Sequence, residues 1–356
     1  MKKRQRTIGS FRLLPLVGKS WNGTSAPGRN RGRAPRRALA LAAALALATC
    51  LGLLAQNPPS RTGSQKSGEY TLQVDVDLVV LHTTVVDRSG RLIGELGDRN
   101  FRIFEDDAEQ KLALFRNEDV PVTVGLVLDN SASMRENRAA MRAGAITFAE
   151  TSNPLDEVFL VNFNDDYYLD LENKEFTSDV EELKTALEKT ITRGSTAFHD
   201  ALRASLKHLK RGTRQKRVLL VISDGVDTTS LSSFNTLVQD AQQAEAAMYI
   251  VGLPCSPDEE GRQCRRAKRN IRKLADVTGG VAYFPTNTAE VEGLCRRIAH
   301  DIRNQYVLGY YPTNRARDGS FRRVRVEIDS PKGSSKLFAR TRPGYFAPSA
   351  NATGAQ

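Results

Sequence analysis

The sequence predicts an α/β fold, a doubly wound and mostly parallel sheet, flanked by a small antiparallel β-sandwich built from N- and C-terminal segments. Three observations carry this. Nearly continuous apolar strands recur through the middle of the chain, beginning with Val122-Thr123-Val124-Gly125-Leu126-Val127-Leu128, the pattern of strands covered by helices on both faces. Stretches with helical periodicity lie between those strands, which implies βαβ units. On either side of this region the pattern changes to short alternating strands separated by Gly, Asp and Pro turns, which is antiparallel grammar.

Taken in order, residues 1–37 form a basic segment and residues 38–55 an apolar run of Ala and Leu without charge. A positive stretch followed by an apolar one is an export signal or a membrane anchor. Three forms are open: an uncleaved anchor, a cleaved signal, and a lipoprotein in which Cys50, after Leu47-Ala48-Thr49, is the site of lipidation. The expected location is therefore periplasmic or extracellular, with contact to the membrane through residues 38–55. Residues 56–69, rich in Pro, Ser and Gly, have linker composition.

Residues 70–118 read as β-strands. Val74, Val76, Leu78 and Val80 alternate, Phe101 to Glu105 is a strand ending in the turn Asp106-Asp107-Ala108, and another runs from about Lys111 to Arg116. Residues 120–303 form the α/β domain. Its further strands are expected at Val158 to Phe163, Arg217 to Ser223, Ala247 to Leu253 and Val281 to Phe284. Met141, Ala145 and Phe148 share one helix face, and Phe198, Leu202, Leu206 and Leu209 another. A last helix covers Val291 to Ile302. In residues 304–346 strands return at Gln305 to Tyr311, Phe321 to Asp329 and Ser335 to Thr341. These are expected to pair with the strands of residues 70–118 and complete the sandwich. The tail, residues 347–356, is small and polar, a disordered composition.

Charge narrows the function classes. The net charge of +11 suggests nucleic acid, but 11 of the 52 Lys and Arg lie in residues 1–37, which hold no acid. The remaining 41 face 41 Asp and Glu, so the folded part lacks the excess that a phosphate-binding surface needs. No G-x-G-x-x-G or Walker loop follows the first apolar strand, which argues against a nucleotide. The run Arg262-Gln263-Cys264-Arg265-Arg266-Ala267-Lys268-Arg269 reads as a solvated helix face. Of the four Cys, Cys255 and Cys264 flank a polar loop and an exported location would let them pair. Cys295 sits on an apolar helical face as a small hydrophobe.

The chemistry concentrates where strands end. The first apolar strand closes in Asp129-Asn130-Ser131-Ala132-Ser133 before a helix, and in open α/β sheets ligands bind beyond the carboxyl ends of the strands. One carboxylate and two hydroxyls at alternate positions are hard oxygen donors suited to Mg²⁺ or Mn²⁺. Arg193-Gly194-Ser195-Thr196 opens the helix of Phe198 and Leu202, placing the Thr196 hydroxyl at a helix start. Ser223-Asp224-Gly225 ends another parallel strand, placing Asp224 on the same edge as Asp129. Singly, Asp129, Ser131 and Thr196 would each read as helix caps. Asp165 and Asp166 read as turn acids, His199 as a helix-packed histidine, and Asp227 with Thr228 and Thr229 as the cap of the next helix.

D-x-S-x-S after the first strand, Gly-Ser-Thr at a helix start and Asp-Gly after a later strand together resemble the metal-ion-dependent adhesion site of von Willebrand factor A domains. The resemblance spans about residues 120–303 and fills all five ligand positions, Asp129, Ser131, Ser133, Thr196 and Asp224. It implies hydroxyls bound directly to the metal, the two Asp bound directly or through water, and one coordination position completed by an Asp or Glu of a partner protein. Phe101-Arg102-Ile103-Phe104-Glu105-Asp106-Asp107, with Tyr310-Tyr311-Pro312 and Arg342-Pro343-Gly344-Tyr345, is similar to a bacterial group of VWFA-related proteins first described from Acidobacteria. A divalent-metal-dependent adhesion or assembly module of the cell envelope, not an enzyme, is the function this implies. Two other readings stay open: metal-assisted hydrolysis, against which the motif offers no His or Glu base and no G-x-S-x-G elbow, and a scaffold whose metal site is vestigial.

Overall fold

The computed structural model describes residues 78–189, 192–255, 261–330 and 335–349, all within the unit Gln73–Gln356. The basic segment, the apolar run with Cys50, the linker and all but the first three residues of the tail lie outside the described residues. Among the described residues no helix is long and apolar enough to cross a membrane.

The strands are β1 (Val79–Val86), β2 (Phe101–Glu105), β3 (Ala108–Gln110), β4 (Leu112–Arg116), β5 (Val122–Asp129), β6 (Glu157–Phe163), β7 (Tyr167–Leu169), β8 (Lys216–Ser223), β9 (Ala247–Gly252), β10 (Val281–Tyr283), β11 (Tyr306–Tyr310), β12 (Phe321–Ile328), β13 (Phe338–Arg340) and β14 (Gly344–Phe346). The helices are α1 (Arg138–Thr151), α2 (Val180–Glu188), α3 (Phe198–Leu209), α4 (Phe234–Gln243), α5 (Gly261–Thr278) and α6 (Val291–Arg303).

The central sheet has the order β10-β9-β8-β5-β6-β7. All neighbours are parallel except the edge pair β6–β7. Every residue of β5 is buried, which explains its unbroken apolar run. Gly125 is required there: a Cβ would stand 2.4 Å from Phe159 Cζ and 2.5 Å from Leu219 Cδ2. Helices flank the sheet, with α1 packed on α6 and α2, and α4 packed between α3 and α5. Because the chain leaves β5 for β6 on one side and later returns to β8 on the other, the carboxyl end of β5 is a topological switch point, where such sheets open a crevice.

The flanking strands interleave as the alternation predicts. One antiparallel sheet runs β13-β1-β11-β4 and the other β14-β12-β2-β3, so each mixes strands from before and after the α/β domain. Leu81, Phe101, Ile103, Tyr306, Leu308, Tyr310, Val324 and Tyr345 from both sheets share one core, which makes a sandwich. Several edges differ from the sequence reading. Ala108 belongs to a strand, because Asp106 and Asp107, at φ 45° and 67°, make a two-residue turn by themselves. The expected strand Ser335 to Thr341 shortens to β13. Strands β7 and β14 and helix α2 are elements the periodicity does not announce.

Candidate metal centre

The parallel register pairs Leu128 of β5 with Ile222 of β8, so Asp129 and the Ser223-Asp224 corner emerge side by side. Asp129 is 0% exposed and Asp224 1%. The two carboxylates are joined through hydroxyls. Ser133 Oγ donates to Asp224 Oδ2 at 2.7 Å, and Ser131 Oγ lies 3.1 Å from Ser133 Oγ. Asp129 Oδ1 accepts the Ser131 amide at 2.9 Å. Its other oxygen accepts the Ser223 hydroxyl at 2.6 Å.

Thr196 reaches this cluster through its loop. The Ala132 amide donates to Gly194 O at 3.1 Å, and the Arg193 amide to Asn130 O at 2.8 Å. Gly194 sits at φ +78°, and a Cβ on it would lie 2.1 Å from Asp165 Oδ2, so the loop needs glycine there. On the far side, the Thr196 amide donates to Thr228 Oγ1 at 2.9 Å, and Thr196 O accepts the amides of Thr228 and Thr229. The structure thus links Asp129, Ser131, Ser133 and Asp224 through hydrogen bonds and brings the backbone of the Thr196 loop beside them. Ser131 makes no capping hydrogen bond, and the residue capping α3 is Ala197, not Thr196. Helix capping therefore does not account for these side chains.

Electrostatics separates this cluster from an ordinary buried hydrogen-bond network. Burial and the Asp224 carboxylate push the Asp129 carboxyl up to about 7. Burial raises Asp224 as well, against the Val226 amide and Ser133 hydroxyl that hold it down. Neither forms an ion pair with a Lys or Arg among the described residues. Two adjacent buried acids with only hydroxyl and amide donors lack a positive charge. Oxygen donors with that deficit fit a hard divalent cation. Among the described residues no group of three or more His, Cys, Asp or Glu gathers as a metal site, here or elsewhere; this cluster offers two carboxylates and hydroxyls.

The remaining sequence expectations resolve as follows. Asp227 does not cap the next helix, whose cap is Ser233. Its Oδ1 instead accepts the His199 amide at 3.1 Å, in the first turn of α3. That leaves its loop folded over Thr196. Asp165 is more than a turn acid: its Oδ1 accepts the Ser195 amide at 2.7 Å and so fixes the Thr196 loop. His199 packs against Phe198 and Phe234 with Nδ1 3.1 Å from Ser232 O, directed away from the cluster. Cys255 and Cys264 are joined as a disulfide, and Cys295 is buried. Sequence reasoning missed Ser223, which orients Asp129. Its only signal is a hydroxyl between an apolar strand and an Asp.

Residues 124–226, from β5 to the turn after Asp224, match the family described as von Willebrand factor type A domain. Over these residues the chain is similar to a von Willebrand factor type A domain. No curated protein sequence matches it. Solved structures similar to it include the pilus adhesin SpaC from Lactobacillus rhamnosus GG, at 13% identity and TM-score 0.44, covering 71% of this chain and 48% of that one. A von Willebrand factor type A protein from Catenulispora acidiphila is 11% identical, with TM-score 0.46, and the likeness covers 78% of this chain and 75% of that one. The vWF domain of the type V pili tip protein Mfa5 from Porphyromonas gingivalis is 14% identical at TM-score 0.42, covering 52% and 95%. The match thus spans about half the length of the SpaC chain.

Proposed function

We propose that this protein is a divalent-metal-dependent protein-binding module of the bacterial cell envelope, serving adhesion or assembly. Asp129, Ser131, Ser133, Thr196 and Asp224 would hold Mg²⁺ or Mn²⁺, and the bound ion would supply Lewis-acid affinity for an Asp or Glu side chain of a partner protein. The observation that carries this reading is the buried pair Asp129 and Asp224, 0% and 1% exposed, with no compensating cation among the described residues. The chain's own groups prepare the site. Ser223 and the Ser131 amide fix both oxygens of Asp129. The Val226 amide and Ser133 fix those of Asp224. Asp165 and Thr228 hold the Thr196 loop in place. A buried, pre-oriented donor set loses little ordering entropy on binding.

Recognition fits this set better than turnover, because His199, the nearest histidine in the sequence, is engaged with Ser232 and Asp227 and among the described residues no other base bonds to the carboxylates. Export through residues 38–55 remains part of the proposal, and the Cys255–Cys264 disulfide agrees with an oxidising compartment. The test is capture of a partner from envelope extract by purified protein in magnesium and in EDTA, with Asp129→Ala alongside. A band retained only by the native protein in magnesium supports the reading. Equal capture in EDTA, or by the variant, contradicts it.

A further inference from the structure

Helix α5 carries seven Arg or Lys (Arg262, Arg265, Arg266, Lys268, Arg269, Arg272 and Lys273) against one acid, Asp276. All seven are exposed, and none forms a salt bridge with another described residue. The apolar face of the helix (Ala267, Ile271, Leu274, Ala275) is buried against the sheet, so the cations project together from a helix of 18 residues. A row of cations without an ion pair among the described residues raises a positive potential over the surface around it.

Its position gives that potential a use. The buried face of α5 packs directly beneath the metal-face corner: a Cβ on Gly225, next to Asp224, would lie 2.5 Å from Ile271 Cδ1 and 3.7 Å from Ala267 Cβ. The connection from β9 into the helix is tied to the same face. The Leu253 amide donates to Ser223 O at 2.9 Å, and Asn137 Nδ2, in the loop after Ser133, donates to Pro254 O at 3.3 Å. The disulfide Cys255–Cys264, with Cα atoms 6.2 Å apart, then fixes the first turn of α5. The N-terminal half of α5 is thus anchored to the loops of the carboxylate cluster through its buried face, with the basic face turned to solvent.

We propose that the exposed basic face of α5 is a docking surface for an acidic protein segment, the stretch of chain that flanks the carboxylate taken at the metal centre. This rests on the reading under Proposed function and extends it. The partner is a protein segment rather than a lipid surface because the adjoining centre calls for a single carboxylate reached from one side. An Asp- or Glu-rich chain satisfies both neighbouring features at once. Charge complementarity at such a rim acts mainly on association and on partner choice.

The test uses two labelled peptides with one central Asp, one flanked by Gly and Ser and the other by a run of Glu. Their anisotropy is titrated against the full chain and against the Arg265→Glu/Arg266→Glu/Arg269→Glu variant, with melting curves confirming that the variant is folded. The Glu-flanked peptide is expected to bind native protein roughly tenfold more tightly at low salt, with the advantage shrinking as salt rises. The variant should lose that advantage and keep the magnesium response of the neutral peptide. Equal affinity for the two peptides, or an advantage that survives in the variant, overturns the proposal. So does arginine-dependent binding of phosphatidylglycerol vesicles without preference for the Glu-flanked peptide. If magnesium affects neither peptide while the arginine-dependent preference persists in EDTA, the α5 surface stands and the metal reading falls.

Discussion

Glu105 in the sandwich and Asp129 in the α/β domain are both buried acids, 2% and 0% exposed, yet their surroundings differ in kind. Glu105 faces the guanidinium of Arg322 at 3.4 Å and accepts the hydroxyls of Tyr310 and Tyr345 at 2.7 and 2.8 Å. Arg322 in turn donates to Asn314 O and Ala316 O. That network is closed in charge. Asp129 has hydroxyl and amide donors, a second carboxylate beside it and, among the described residues, no cation. A balanced buried acid fixes two sheets in register, whereas an unbalanced one is relieved by a proton or by a cation from outside. The residues of the closed network, Glu105, Tyr310 and Tyr345, come from the flanking motifs, which links those motifs to folding; the Asp-x-Ser-x-Ser motif is the one for which we propose a ligand.

The largest expected effect separates the two acids directly. Glu105→Ala strands Arg322 and should cost about 3–5 kcal/mol in denaturant unfolding. Asp129→Asn, measured in EDTA, removes one of two repelling charges and should leave stability within about 1 kcal/mol of the parent. Comparable losses in both variants would erase the distinction.

Magnesium should restore the balance that the carboxylate pair lacks. At a concentration about 100 times its dissociation constant it should add roughly 2.7 kcal/mol, with nothing gained by Asp129→Asn. The sign of the pH dependence follows from the raised carboxyls. Asp129 goes from 3.8 to about 7 in the fold, so the folded state holds its proton more tightly than the unfolded chain. Metal-free protein is least penalised at low pH and loses stability as pH rises from about 4 through 7. Magnesium requires the ionised pair, so its stabilisation should be small at pH 5 and grow toward pH 8. Melting curves with and without the ion across that range check this, and equal shifts at both ends would contradict it.

Ser223→Ala keeps the ligand set but frees one oxygen of Asp129. It should weaken magnesium roughly 10–100-fold, read by calorimetry, and an unchanged affinity would show that Ser223 does not orient the site. The smallest effect concerns the loop over Thr196. Asp227→Ala removes a hydrogen bond to the first turn of α3 and should cost about 1 kcal/mol in thermal unfolding. No loss would show that this hydrogen bond does not hold the turn.

What the sequence made legible follows from periodicity and chain order. Buried parallel strands announce themselves as apolar runs, and three polar motifs at strand ends and a helix start sit on one edge of such a sheet by geometry alone. The interleaved sandwich was legible because the flanking strands alternate and have no other partners. Contacts made across the chain were not. Asp227 lies ahead of α4 and accepts the His199 amide in the first turn of α3, and Asp165 after β6 fixes the Gly194–Thr196 loop, because loops at a switch point meet neighbours remote in sequence. Ser223 was hidden because a serine at a strand end looks the same whether or not an acid lies beside it. The edge strand β7, three exposed residues, is too short to carry a period.

The most direct measurement is isothermal titration of magnesium and of manganese into chelator-stripped protein at pH 7.5. Saturable binding at one site per chain is predicted, lost in both Asp129→Asn and Asp224→Asn and retained in Ala substitutions of the exposed α5 arginines. Absence of binding for both ions, or binding that survives loss of either carboxylate, would contradict the account.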